Sequence, residues 1–291
     1  MKIFKYLIEA IFIYILFFLF KILGLNISRK ISSFIFVKIG FFFRNKKLIK
    51  NNILNVFEKY SNLEIDKLIH EMWLNYGYIF AEYIHLKKFR FNEFDEKHIE
   101  ISGEEILKKI SKSNRPVIFI SGHFGNFELM AMELEKKKIN LAAIYRPLNN
   151  FFLNPLMIFI RRKYICKNQI KKGLSGTRDA INFIKKNHSI ALMVDQRVGE
   201  SDRFPFFKKH AHTTTIPAQL SIKFNLEIVP IYLERKDDGK FYMEVQESIQ
   251  VNSADKSEEN KKNITVEINK RIEKMVLRNP RQWIWTHSRW K

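Results

Sequence analysis

From residue 98 onward, short β-branched runs alternate with helical patterns. This alternation restricts the fold more than any other feature, because strands separated by helices assemble into a sheet with crossover connections. Strands are expected at 98–101, 117–120, 141–145, 190–194, 228–233 and 241–245, with helices in most of the gaps. No repeat of fixed period stands out, and the polar stretch 252–262 reads as a loop before a last helix at 263–277. The expected fold class is α/β, with a central mixed, largely parallel sheet flanked by helices. Ahead of it, Ile49, Ile53, Val56 and Phe57, then Leu68, Met72, Tyr76, Ile79 and Tyr83, recur at helical spacing, giving amphipathic helices over 45–57 and 63–85. A chain of 291 residues can bury one full core, and no flexible linker divides it.

Residues 7–25 are largely apolar, interrupted by Glu9 and Lys21, with an uninterrupted stretch only over 10–20. A spanning helix needs roughly 20 apolar residues, reached here only if the end charges snorkel, so spanning and lying in the interface both stay open. Residues 24–27 offer no small-x-small cleavage site, which favours a retained anchor over a removed signal peptide. A core helix is the competing reading. Over 27–43, apolar and basic residues mix as in an interfacial helix, with Lys30, Lys38 and Arg44 on its wet side. The expected organisation is an anchor at 1–26 and one domain at 27–291, comprising a membrane-proximal helical part at 27–90 and an α/β core at 91–291. If the anchor spans, Lys21, Arg29, Lys30 and Lys38 place the main domain in the cytoplasm.

Lys and Arg number 51 against 30 Asp and Glu, a formal charge of +21 that attracts polyanions, either nucleic acid or anionic lipid. The cations run from Lys2 to Lys291 among 27 Phe, a combination favouring a lipid surface, although abundant Lys, Ile, Asn and Phe also fit biased codon usage. A non-enzymatic basic membrane- or nucleic-acid-binding protein would account for the charge. A nucleic-acid binder is further expected to carry a basic recognition helix or an aromatic RNA-binding strand, and neither is evident. Cys166 is the one cysteine, so no intrachain disulfide forms, and it reads as a packing residue. His210 and His212 lack Cys, Asp or Glu at ligand spacing, so no metal is expected.

The segment 116–130 reads as buried strand, tight turn and helix start. Ligands of open α/β sheets bind beyond the carboxyl ends of strands, where His123 falls. Gly122 and Gly125 let the backbone turn sharply around it. With Glu128 in the first helical turn, the carboxylate is expected to take a hydrogen bond from one imidazole nitrogen, leaving the other to act as a base on a substrate hydroxyl. Glu128 also suits the positive end of its helix for purely structural reasons. Ser121 precedes Gly122 but lacks the small residues on both sides that mark a nucleophile elbow, which argues against a serine hydrolase.

Several ordered blocks resemble the late acyltransferases of lipid A biosynthesis, within the lysophospholipid acyltransferase superfamily. Gly122-His-Phe-Gly-Asn-Phe-Glu is similar to that family's motif of His, four residues, then Asp or Glu. Tyr145-Arg-Pro-Leu-Asn-Asn, Asp195-Gln196-Arg197, Phe206-Phe207, Ala211-His-Thr-Thr and the terminal Arg281-Gln-Trp-Ile-Trp-Thr-His-Ser-Arg-Trp-Lys resemble later blocks. Two departures are Phe127, where the family often has Trp, and Lys208, where Gly commonly follows Phe-Phe. The resemblance implies a glycerolipid acyltransferase-like fold, with His123 as general base and Glu128 steadying the imidazolium. The acyl group would pass from an acyl carrier protein or acyl-CoA thioester to a hydroxyl of an anionic lipid A precursor such as Kdo2-lipid IVA; a lysophospholipid, glycolipid or amino-acid lipid is the alternative acceptor. Oxyanion and substrate contacts are expected from Gly125, Asn126, Arg146, Asp195 and Arg197, with Asp195 either positioning Arg146 or Arg197, contacting the acceptor, or serving as a loop carboxylate. Arg197 and Arg203 are the cations expected to meet acidic groups of donor or lipid. Trp283, Trp285 and Trp290 with Arg281, Arg289 and Lys291 suit either the headgroup region or packing, and His287 packing. Neither metal nor cofactor is required, nucleic acid is not an expected partner, and the implied location is the inner membrane with the domain on its cytoplasmic face.

Overall fold

The structure, a computed structural model, describes residues 2–199 and 201–291. Four helices precede the sheet: α1 (Lys2–Phe43), α2 (Lys46–Leu54), α3 (Asn62–Tyr83) and α4 (Leu86–Phe91). Helix α1 continues through the expected boundary at residue 26 and bends instead at Gly24, whose φ of 76° and ψ of 170° leave the helical region. The Ser28 hydroxyl donates back across this bend to the carbonyls of Phe20 and Gly24, at 2.9 and 2.6 Å. At α3, Ser61 and Glu64 close a reciprocal capping box that defines the start of the helix.

Helices α1 and α3 pack without room for side chains at two crossings. A Cβ on Gly77 would overlap the Ser33 backbone, and one on Gly40 would overlap the Trp73 ring. The opposite face of α1 exposes Phe4, Ile8, Ile11, Phe12, Ile15, Phe18 and Ile22. Apolar surface on this scale is stable against lipid rather than water. Among the described residues this is the one helix long and apolar enough to cross a membrane.

The core contains β1 (Ile99–Ser102), α5 (Glu104–Ser113), β2 (Ile118–Ser121), α6 (Glu128–Lys136), β3 (Leu141–Tyr145) and α7 (Asn154–Ile160). It continues through a π turn at Arg161–Ile165, β4 (Asn168–Lys171), α8 (Leu174–Lys185), β5 (Ser189–Met193), β6 (Arg203–Phe206), β7 (Lys209–His212), α9 (Ile216–Phe224), β8 (Ile228–Arg235), β9 (Phe241–Val245) and α10 (Glu258–Arg278). Seven strands form one sheet in the order β1-β9-β8-β2-β5-β3-β4, parallel at every pairing except β8 with β9. This is the mixed, largely parallel sheet expected from the sequence.

Because helices cover both faces, successive residues of the central strands are buried on opposite sides. Ile118 and Ile120 of β2 join one apolar cluster, with Ile190, Ile228, Ile268 and Trp285. Val117 and Phe119 join the other, with Leu129, Ala191, Val229 and Phe17 of α1.

Six expected strands are present, their ends moved by at most two residues. Strand β4 and the antiparallel β6–β7 hairpin were not expected. Strand β4, Asn-Gln-Ile-Lys, lies at the sheet edge and fully buries only Ile170, too little apolar alternation to mark a strand. The last helix starts earlier than expected, at Glu258, because the Ser257 side chain caps it by accepting from the Asn260 N–H at 3.1 Å. The terminal segment is core rather than headgroup surface: Trp283, Trp285 and Arg289 are buried, and Arg289 bonds the His212 carbonyl, Thr213 and Asn269. An indole whose N–H finds an internal acceptor is as comfortable in a core as at an interface, so composition alone did not separate the two.

Candidate active site

Strand register brings the central pair together. Strands β2 and β5 are parallel neighbours with Ser121 opposite Met193. His123 and Asp195 each lie two residues further on, at the same level and on adjacent chains about 5 Å apart. The Asp195 carboxylate spans the gap. Its Oδ1 meets His123 Nδ1 at 2.8 Å, while its Oδ2 accepts from the His123 backbone N–H at 2.8 Å and from the Trp283 indole N–H at 2.8 Å.

A carboxylate at Nδ1 fixes the tautomer that carries its proton there and leaves Nε2 as the basic nitrogen. His123 is partly exposed and its ring lines a cavity, with the Gln196 side-chain amide 3.4 Å from Nε2 and the Phe127 ring packed edge-on at 4.6 Å. Asp195 is fully buried and does not line that cavity. Burial alone would raise its pKa, but the His123 charge and three hydrogen bonds outweigh this and hold it at about 2, against an ordinary 3.8.

A depressed carboxylate contributes stability above its unfolded pKa, and that stability fades as pH falls through the folded value. Asp195 is therefore expected to contribute on the order of 2 kcal/mol above pH 4, lost between about pH 4 and 2. Urea denaturation from pH 5 to 2 measures this, with Asp195→Asn expected to show a shallower loss over that window.

Glu128 does not bond the imidazole. It opens α6, and its Oε1 accepts from Arg161 Nε at 3.0 Å, Arg161 Nη2 at 2.6 Å and the Tyr83 hydroxyl. The expected partnership of Glu128 with the His123 ring is therefore replaced by one with Asp195. Sequence separation concealed the second carboxylate, since the ring contact joins residues 72 positions apart. Arg161, at the start of the π turn, also bonds the Tyr83 hydroxyl at 3.1 Å and lies against the Tyr145 ring. Its Nη1 has no hydrogen-bond partner among the described residues, and both Arg161 and Glu128 line the cavity.

The other expected residues divide. Arg146, just past β3, and Arg197, just past β5, line the cavity with His123. Gly125 and Asn126 do not. Gly125, at φ 49°, backs onto Gln282 and Arg235, and the Asn126 amide donates to Glu82 at 2.8 Å. Arg203 lies away from the cavity, on the β6–β7 hairpin beside His212. His287 accepts from the Arg197 N–H at 3.3 Å, and burial pushes its pKa down to about 4, so it stays neutral. Burial pushes the Cys166 thiol up to about 12, consistent with packing rather than nucleophilic chemistry.

The cavity holds about 1370 Å³. Apolar side chains from α1 (Ile13, Phe17), α3 (Ile79, Phe80) and α7 (Leu156, Met157) line part of it. Arg44, Arg146, Arg161, Lys172 and Arg197 supply cations, against Glu9 and Glu128 as the acidic residues among the described lining. Arg161, Tyr83, Lys172 and the clamp from Trp283 escaped sequence reasoning because each reaches the site from a distant element.

The His–Asp pair stands at the carboxyl ends of a largely parallel sheet and faces a cavity lined by apolar side chains and cations, and among the described residues no Ser, Thr or Cys side chain bonds the imidazole. Comparison with known proteins supplies the family. The model of the family described as bacterial lipid A biosynthesis acyltransferase matches residues 1–291, and the chain belongs to that family. It is 26% identical over 257 residues to the lipid A biosynthesis palmitoleoyltransferase of Escherichia coli K12, covering 85% of this chain and 79% of that one. A lipid A biosynthesis acyltransferase of Shigella flexneri gives the same figures. With the E. coli K12 lauroyltransferase of the same pathway the identity is 26% over 195 residues, covering 66% of this chain and 61% of the other.

Proposed function

We propose that the protein transfers a fatty acyl chain from a thioester, carried on acyl carrier protein or coenzyme A, to a hydroxyl of a lipid A precursor such as Kdo2-lipid IVA. The observation that carries this reading is the imidazole held at Nδ1 by Asp195 with its ring facing the apolar, cation-lined cavity. In it, His123 Nε2 takes the proton of the acceptor hydroxyl as the oxygen attacks the thioester carbonyl. Asp195 stabilises the imidazolium that forms. The tetrahedral oxyanion then collapses, the carbon–sulfur bond breaks, and the imidazolium returns its proton to the thiolate. Arg161, oriented by Glu128 and Tyr83, Arg146, and the Gln196 amide 3.4 Å from Nε2 are donors in the cavity that could serve that oxyanion.

The acyl chain would lie among the side chains of α1, α3 and α7 that line the cavity. Arg44, Lys172 and Arg197 would receive phosphate or carboxylate groups of the acceptor. The composition and the anchor support work at the inner membrane, with the domain on the cytoplasmic face. In an assay with acyl carrier protein or coenzyme A charged with defined chains, transfer to Kdo2-lipid IVA is the expected result. Acylation of a lysophospholipid alone would move the protein to another acceptor, and no transfer to any lipid would overturn the reading.

A further inference from the structure

Behind the turn that carries His123 lies a charge cluster that the chemistry above does not use. Glu82, near the end of α3, is fully buried. Its Oε1 accepts from Arg29 Nε at 2.7 Å and from Arg235 Nη1, and its Oε2 from Arg235 Nη2 at 2.9 Å and Asn126 Nδ2 at 2.8 Å. The three chains of this cluster come from the anchor helix, the helix packed on it, and strand β8. Burial would raise the Glu82 pKa, but the two guanidiniums prevail and hold it ionised.

Arg235 is held by more than the Glu82 carboxylate. Its guanidinium lies over the Tyr78 and Phe241 rings, and its backbone N–H and carbonyl pair with the Gln282 side chain at 2.7 Å each. Gly125 abuts the same Gln282 and Arg235 atoms so closely that a Cβ would sit 3.2 and 3.3 Å from them. Residues 125 and 126, the middle of the turn between His123 and Glu128, therefore rest on a surface that Arg29 helps to build.

A buried ion cluster is a poor source of stability, because desolvation offsets most of the attraction. It does fix geometry, and here one carboxylate links the anchor helix to an amide in the base-carrying turn. We infer that Glu82 is a positioning residue for catalysis: through Asn126 it holds the His123 turn in register with Asp195, and Arg29 makes docking of the anchor helix on α3 a condition of that register. This rests on His123 being the base.

The test separates position from fold. Asn126→Ala removes the link while leaving the ion cluster intact, Arg29→Met removes the anchor's contribution, and Arg29→Lys restores a charge at the same place. With each protein folded in detergent by thermal melt, Asn126→Ala and Arg29→Met are expected to lower kcat on the order of 10- to 100-fold with acceptor KM unchanged, as for a misplacement of about 1 Å. Arg29→Lys should recover most of the loss. In the same samples the 15N resonances of His123, selectively labelled, should lose the signature of an Nδ1 proton held by Asp195. Unchanged kcat and unchanged His123 resonances in folded variants would overturn the inference, as would loss through KM alone. If the unaltered protein acylates no lipid, the proposed function fails, while the imidazole resonances still decide whether the cluster positions the ring.

Discussion

Asp195→Asn is expected to reduce kcat for acyl transfer by about 10³- to 10⁴-fold with little change in the fold, comparable to His123→Ala. The reason lies in the three donors around one carboxylate. Oδ2 accepts from the His123 backbone N–H and the Trp283 indole, both obligate donors, so an asparagine must turn its carbonyl toward them. Its NH2 then faces Nδ1, where it requires an acceptor. The ring must move its proton to Nε2, and the nitrogen facing the cavity is no longer a base. The measurement is single-turnover transfer across pH 5 to 9 for the unaltered protein, Asp195→Asn and His123→Ala. Near-normal turnover in a folded Asp195→Asn would remove Asp195 from the chemistry.

How much of this was legible in the sequence depended on distance along the chain. The strand–turn–helix segment around His123 was readable because all of its signals are local: an apolar run, two glycines and a helix start. The same locality made Glu128 look like the partner of the imidazole. The competing carboxylate follows a strand whose neighbour in the sheet is not its neighbour in sequence, since β5 inserts between β2 and β3. No periodicity announces such an insertion. Asp195 was visible as a residue at a strand end, but its partner was fixed only by the pairing of Ser121 with Met193. The apolar cavity was still less legible, because α1, α3 and α7 each contribute a stripe that serves equally well as core.

The distinction between the two carboxylates can be made experimentally through Arg161. Glu128 and Arg161 are each largely buried, at 9% and 12% side-chain exposure, and each is the other's charge partner. Arg161→Met leaves a buried carboxylate without its cation and is expected to destabilise the protein by about 3 to 5 kcal/mol. Glu128→Gln combined with Arg161→Met removes both charges and should recover most of that loss, because the desolvation penalty disappears with the pair. Chemical denaturation in detergent reads both values. The signature at the ring differs from that of Asp195. A Glu128→Gln protein lowers the rate, since Arg161 is less firmly aimed into the cavity, yet its His123 15N resonances keep the pattern of an Nδ1 proton held by Asp195. In Asp195→Asn that pattern is lost, since the amide facing Nδ1 requires an acceptor. Should Glu128→Gln abolish the pattern and Asp195→Asn leave it untouched, the orienting role belongs to Glu128 after all, and the contact between Asp195 and the ring is structural.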